Sequence, residues 1–358
     1  ACLVSAALLN VSAPLFAQKA TPNKVAPVSL ANEEMRRAAA AWLAILSDEQ
    51  RSQATFAFDH PQRTDWQFVP MERKGLALKE MNLPQRRAAR ALMESALSDQ
   101  GYLKATTIMS LEEVLRAIEA DRPDVKNIRH PEKYWFAVFG SPAANDGSPW
   151  GWRVEGHHLS LNFSSLVDVA QSPSVATTPL FLGANPAEVR VGPSMGLRAL
   201  GAEDDLGRAV MASLDATQQQ EATISAEVPA DVTGVPGGPP EIVGPAGLSV
   251  AKMNPTQRDK VRVLIEALVE VVRPEFAAQE MAEIDSAGFE NVHFAWAGGV
   301  ETLTNIATTE RHYFRVHGPT FIIEYDFQEP NHVHCVWHSP VDDFGLNTLR
   351  RHHATHSH

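Results

Sequence analysis

Apolar positions recur at helical spacing through the first third of the chain. Met35, Ala39, Trp42, Leu43 and Leu46 fall on one helix face, with Asn32 placed to cap it. Ser47 and Gln50 have the spacing of a capping box, so a second helix starts there. Pro84 suits the first turn of a helix carrying Ala88, Ala91, Leu92, Ala96 and Leu97. Ser110 introduces Leu111, Val114, Leu115 and Ile118 at the same period. Near residue 133 the pattern changes. Tyr134 to Phe139 is an aromatic and β-branched run that predicts a strand, Trp152 to Phe163 a second and Thr178 to Leu182 a third. Residues 196–220 read as helical. Residues 229–249 are rich in Pro and Gly, which remove backbone donors and raise the entropy cost of regular structure, so they predict an irregular loop. A loop of that length covers something or divides two lobes. Helices resume over 255–286, with Val261, Leu264, Ile265, Leu268 and Val272 forming the apolar stripe. Strands follow at 291–297, 311–316, 319–326 and 332–338, with a closing helix after Asp342-Asp343. No repeat of fixed period stands out.

This order predicts an α+β fold: an N-terminal helical region packed on a largely antiparallel β-sheet core, with further helices between strand clusters. Residues 31–350 are expected to form a single domain, with its helical part at 31–130 and strand-rich parts at 133–182 and 291–338. Residues 18–30 read as a linker and 351–358 as a tail. Residues 1–17 begin with an apolar run and have a small residue, Ala17, at their end, resembling the h-region and cleavage zone of a signal peptide whose basic start is missing. That stretch is too short to span a bilayer. It points to a periplasmic or secreted protein. Of the two cysteines, Cys2 and Cys335, only the second would then remain, so no internal disulfide is expected.

The net charge of -12 argues against nucleic acid or anionic lipid as a partner, since both need a basic surface. No phosphate-binding loop, nucleophile elbow or His-Glu-x-x-His helix is present, so no nucleotide cofactor is expected. No stable membrane insertion is expected, and the oligomeric state is not legible.

Fourteen histidines change the picture, because five lie between His312 and His338. In a strand alternate residues share a face, so His332, His334 and His338 lie on one side and Val333, Cys335 and Trp337 on the other. His-x-His on a strand offers two imidazoles to one metal ion. If Phe327 to Asn331 form a five-residue turn, Asp326 stands opposite His332 and Glu324 opposite His334. A register shift of one residue would place Tyr325 beside His334 instead. His157 and His158, read as neighbours on one strand, point to opposite faces. His158 goes with the polar residues Ser160 and Asn162, and His157 with Leu159, Leu161 and Phe163. Cys335 points away from His334 and is not expected to act as a nucleophile.

Trp150-Gly151-Trp152, Glu155-Gly156-His157-His158-Leu159-Ser160-Leu161-Asn162-Phe163 and Phe181-Leu182-Gly183-Ala184-Asn185-Pro186 together resemble the family called Domain of Unknown Function 3500. The resemblance continues through His293-Phe294-Ala295-Trp296-Ala297-Gly298, His312-Tyr313-Phe314-Arg315-Val316 and Phe321 to Asp326. It ends with Asn331-His332-Val333-His334 and Asp343-Phe344-Gly345. It spans roughly residues 30–350 and implies a single-domain, often exported protein, without implying an activity. His338 and the pair His352-His353 depart from the family pattern, which points away from them as site residues.

Three functions fit these residues. The first is a metal-dependent hydrolase or oxidoreductase acting on a small molecule. His332, His334, His158 and His157 are its candidate ligands for zinc, copper or iron, and Glu324 and Asp326 its candidate catalytic carboxylates. The second is a non-catalytic extracytoplasmic protein that binds a small ligand. The third is a metal-free lyase using His/carboxylate pairs.

Overall fold

The computed structural model describes residues 26–143, 148–167, 173–236, 244–300, 311–329, 331–348 and 350. The expected leader at 1–17, most of the linker and the tail at 351–358 lie outside the described residues.

Helix α1 (Val28–Ala44) buries Ala31, Met35, Ala39 and Trp42, but it begins behind Pro27, ahead of Asn32. Helix α2 (Asp48–Ala54) carries the Ser47–Gln50 capping box with both of its hydrogen bonds. Helix α3 (Leu83–Glu94) starts at the Asn82 cap with Pro84 in its first turn. Ser110 does not begin a helix. It lies inside α4 (Asp99–Ile118), which starts where the Ser98 hydroxyl accepts the Gly101 amide. After the single turn α5 (Val125–Ile128) come α6 (Gly201–Ala212) and α7 (Ala216–Ala222). The helices expected over 255–286 are two, α8 (Pro255–Val269) and α9 (Pro274–Ser286), divided before Pro274, which cannot continue the first.

Among the described residues thirteen strands form one sheet. They are β1 (Thr55–Phe56), β2 (Leu76–Ala77), β3 (Tyr134–Phe139), β4 (Trp150–Gly156), β5 (Leu159–Val167), β6 (Pro173–Ala176), β7 (Leu180–Ala184), β8 (Thr223–Ser225), β9 (Leu248–Ser249), β10 (His293–Ala297), β11 (His312–His317), β12 (Ile322–Glu329) and β13 (His332–His338). The main path runs β1-β3-β4-β5-β7-β13-β12-β11-β10-β8, with β2 on β3, β6 on β5 and β9 on β10. Only β1–β3 and β8–β10 pair in parallel. The fold is α+β. The single strand expected from Trp152 to Phe163 is in fact β4 and β5, joined at His157-His158. Within 229–249 the described residues hold only the two-residue strand β9.

One face of the sheet is apolar and covered by helices. Trp152, Val154, Leu161, Phe163, Leu182, Ile323, Tyr325, Val333, Cys335 and Trp337 join Trp42, Leu92, Ile108, Leu264 and Ile265 in one core. The other face carries Arg153, Glu155, Ser160, Asn162, Glu324, Asp326, His334 and His338, all buried. Loops cover that side. Trp66, Phe68, Phe181, Val232, Val336 and Phe344 make a small second cluster there.

The strand path is symmetric, and the pairing registers show why. Leu76 opposite Phe136 in the first half matches Leu248 opposite Phe294 in the second. Thr55 opposite Val138 matches Thr223 opposite Trp296. Arg153 between Ala137 and Asn162 matches Arg315 between Ala295 and Glu324. The chain therefore contains two copies of one α-α-β-β-α-α-β-β-β-β unit, in which β13 is the unbroken counterpart of β6 plus β7. The sequence echo is faint, as in Gly75-Leu76-Ala77-Leu78-Lys79-Glu80-Met81-Asn82 against Gly247-Leu248-Ser249-Val250-Ala251-Lys252-Met253-Asn254. A pseudo-two-fold axis passes beside the Leu180–Trp337 pair in the sheet. On the helical side it passes the reciprocal bonds from the Ser98 amide to the Val271 carbonyl and from the Arg273 amide to the Ala96 carbonyl, at 3.1 and 2.9 Å.

Candidate functional site

The site forms where a turn of the first half meets the last strand of the second. His157 and His158 are the two central residues of the tight β4–β5 turn, between the paired Gly156 and Leu159. They are not neighbours on a strand, so the expected alternation of faces does not apply to them. His158 has φ 63, the left-handed conformation taken by the second central residue of a type II turn. Its carbonyl accepts the Gly183 amide at 2.8 Å, and its amide donates to the Phe68 carbonyl at 2.9 Å. Gly183 leaves the ring its space: a Cβ there would stand 2.9 Å from His158 Cδ2.

The β12–β13 hairpin differs from the expected register by two residues. The strand runs on to Glu329 with a bulge after Phe327, so Asp326 pairs with His334 and Glu324 with Val336. A two-residue shift keeps every side chain on its face, so the carboxylates and histidines still share one side of the sheet.

His158, His332 and His334 converge. One ligand nitrogen from each lies within 4.8 Å of the others, and His158 Nε2 is 2.8 Å from His332 Nε2. Nitrogens around a single zinc ion stand about 3.4 Å apart, given Zn–N bonds of about 2.0–2.1 Å, so small side-chain rotations suffice. His334 Nδ1 lies 2.8 Å from Asp231 Oδ1 and donates to it. The lone pair is then on Nε2, which is buried without a partner. Burial, with the neighbouring imidazoles, pushes His158 well below the usual histidine range and His332 down to about 3. Those two imidazoles are neutral at physiological pH, the state in which histidine binds a metal. This buried trio could hold a metal ion.

The other sequence candidates go elsewhere. His157 does not join the trio. It stacks on His158 with centroids 3.8 Å apart, while its Nδ1 bonds Glu112 and faces Arg129 at 3.1 Å. Glu324 is on the expected face, but its carboxylate is filled by donors: the Thr233 amide (3.0 Å) and hydroxyl, the Gly234 amide (2.8 Å) and the Tyr313 hydroxyl (2.6 Å). It anchors a loop and has no capacity left for a cation. Asp326 is fully buried, and neither of its oxygens has a hydrogen bond of ordinary geometry. Burial and then the charge of Asp231 push its carboxyl up to about 7, against smaller pulls from Arg311 and Gln328. Cys335 lies in the apolar core, away from His334, and burial raises its thiol. His312 is a core residue, bonded to Asp204 at 2.9 Å and stacked on Trp296.

A family model described as Protein of unknown function (DUF3500) matches residues 29–346, nearly the whole chain. The chain belongs to that family. No curated protein and no solved structure matches it.

For this DUF3500 member, sequence reasoning missed the residues that complete the site. Asp231 sits in the loop read only as irregular, next to the Pro/Gly-rich run. Phe68, whose ring meets His334 edge-on at 5.0 Å and stacks on Phe181 at 4.1 Å, comes from a segment with no periodic signal. Glu112, the partner of His157, is a polar residue on the buried side of α4 at 3% exposure. That position was its one available signal, since an acid among apolar helix positions needs a partner.

Proposed function

We propose that the His158–His332–His334 trio binds a divalent transition metal, zinc, copper or iron, and that the protein is a metal-dependent enzyme acting on a small molecule. The observation that carries this reading is the bare, buried Nε2 of His334 beside two neutral imidazoles. Leaving such a group unsatisfied costs about 1–3 kcal/mol, and a cation removes the penalty. Three histidine ligands leave coordination positions for water and substrate. The metal would supply Lewis acidity for hydrolysis or, as copper or iron, a redox partner. Asp326, buried with both oxygens unbonded and paired with His334 across the hairpin, is the group we assign to proton transfer. The leader-like start of the chain supports a periplasmic or secreted location for this activity.

Thermal unfolding with each metal tests the reading. A cation at about a hundred times its Kd stabilises the folded state by about 2.7 kcal/mol, and His158→Ala should remove that gain. No shift with zinc, copper or iron would refute it.

A second reading has its own observation. The Glu112–His157 pair lines a cavity of about 210 Å³ with Arg73 and Trp135, an arrangement suited to metal-free acid–base chemistry. Loss of turnover in His157→Gln with metal binding intact would favour it.

A further inference from the structure

Residues 231–234 cross the polar face of the sheet as a strap, and each of them is tied to a group beneath. Val232 packs into the apolar cluster with Phe68, Phe181 and Val336. Both Thr233 and Gly234 amides bond the Glu324 carboxylate. The Gly234 carbonyl lies 3.0 Å from His338 Nε2, while His338 Nδ1 lies 2.6 Å from Asp343 Oδ2. Both partners of that ring are acceptors, so both nitrogens carry protons. Gly234 has to be glycine, since a Cβ would stand 2.4 Å from the His338 ring. The strap thereby delivers Asp231 Oδ1 to His334 Nδ1 at 2.8 Å.

We propose that Asp231 is a positioning residue: it holds His334 as the Nδ1–H tautomer, aims the bare Nε2 at the cation, and makes closure of the strap part of assembling the metal centre. The proposal rests on the metal reading above for its second half only. A neutral imidazole carries one proton, and a carboxylate at Nδ1 decides which nitrogen holds it. With Nδ1 protonated, the buried Nε2 is an acceptor on a ring whose centroid stands 5.2 Å from that of His158 and 4.6 Å from that of His332. Without Asp231 the proton is free to move to Nε2, which would block the ligand position. Glu324 and His338 act at a distance from the cation, as the anchors that fix the strap.

The test is nitrogen-15 NMR of histidine-labelled full chain without metal, followed by zinc titration. Wild type should show His334 as the Nδ1–H tautomer. Asp231→Ala should show Nε2–H or a mixture, and Asp231→Asn, whose amide oxygen can still accept, should restore Nδ1–H. On adding zinc, Asp231→Ala should bind about ten- to a hundredfold more weakly than wild type, the size of comparable losses in metal sites. The Thr233 and Gly234 amides should exchange more slowly once zinc is bound. The same tautomer in wild type and Asp231→Ala, or equal zinc affinity in both, would overturn the proposal. A wild-type chain that takes up no zinc overturns the metal reading by itself, because the tautomer comparison is made without metal.

Discussion

The two halves of the molecule share a backbone plan and differ in what they place on it. At matching positions of the sheet's polar face, the second half has Asp326, Glu324 and His334 where the first has Ser164, Asn162 and Ala176. His338 corresponds to Phe181. The turn contrasts in the opposite sense: the first half makes it with His157-His158, and the second makes a longer one through Gly318-Pro319-Thr320. The trio draws one histidine from the first half's turn and two from the second half's final strand. Neither half contains it. The duplicated scaffold supplies a rigid sheet with a pseudo-axis between β7 and β13, and the chemistry arises where the copies have diverged across that axis. Arg153 and Arg315 are retained at matching positions. In the first half Arg153 lies 2.9 Å from Glu155 beneath its own covering loop, the counterpart of the strap that Glu324 holds.

The comparison breaks most directly at the trio. His334→Ala should weaken cation binding by more than about a hundredfold, since losing even a supporting partner costs ten- to a hundredfold. Ala176→Ser at the matching position should leave affinity unchanged in the same calorimetric titration. Equal effects from the two would mean that the divergence has no functional meaning.

Glu324→Ala and Asn162→Ala sharpen the contrast in stability. The first strands the buried Gly234 amide and Tyr313 hydroxyl along with the Thr233 amide and hydroxyl, and should cost about 3 kcal/mol in urea unfolding. The second loses the Asn162 bonds to the Pro179 carbonyl at 2.8 Å and the Ser160 hydroxyl at 3.2 Å, and should cost about 1 kcal/mol.

Much of this was legible in the sequence for a physical reason. Period-2 alternation put His332 and His334 on one face and Cys335 on the other, and a register error of two residues could not disturb that parity. The Ser47–Gln50 and Pro84 signals located α2 and α3, because helix starts are marked locally. What is not local was not legible. The His157-His158 turn lacks glycine at its left-handed position, so the run read as one strand. Asp231 reaches His334 over a sequence distance that no pattern spans. The duplication escaped because its loops differ in length, leaving no fixed period, and because buried positions keep their apolar character while changing identity.

A smaller effect is expected at Gly183. Gly183→Ala sets a methyl group 2.9 Å from the His158 ring, so the ring must move. Overpacking of this kind costs about 1–3 kcal/mol, and the displaced ring should also lower cation affinity. A variant with wild-type stability and affinity would show that the turn is not held where its role requires.

The smallest effect concerns pH and separates His338 from Phe181, its uncharged counterpart. Burial opposes the His338 imidazolium, but the Asp343 charge and hydrogen bond, the Gly234 carbonyl and the Glu324 charge outweigh it and raise its pKa. A raised folded pKa means that the stabilisation is complete below the unfolded value of about 6.5 and is lost as pH rises through the folded value. Below that point His338→Asn should cost about 1–2 kcal/mol, the worth of a charge-assisted bond, and the gap from wild type should narrow as the solution is made alkaline. A gap that stays constant with pH would mean that the ring is not an imidazolium.

The central claim is that the two halves together build one metal centre, and the metal content of the purified full chain tests it most directly. The His352–His358 tail could bind metal on its own, so the comparison is between wild type and the double variant His332→Ala/His334→Ala, both without an added affinity tag. Wild type should hold about one equivalent of zinc, copper or iron more than the double variant after identical dialysis. Equal metal content in the two proteins would contradict it.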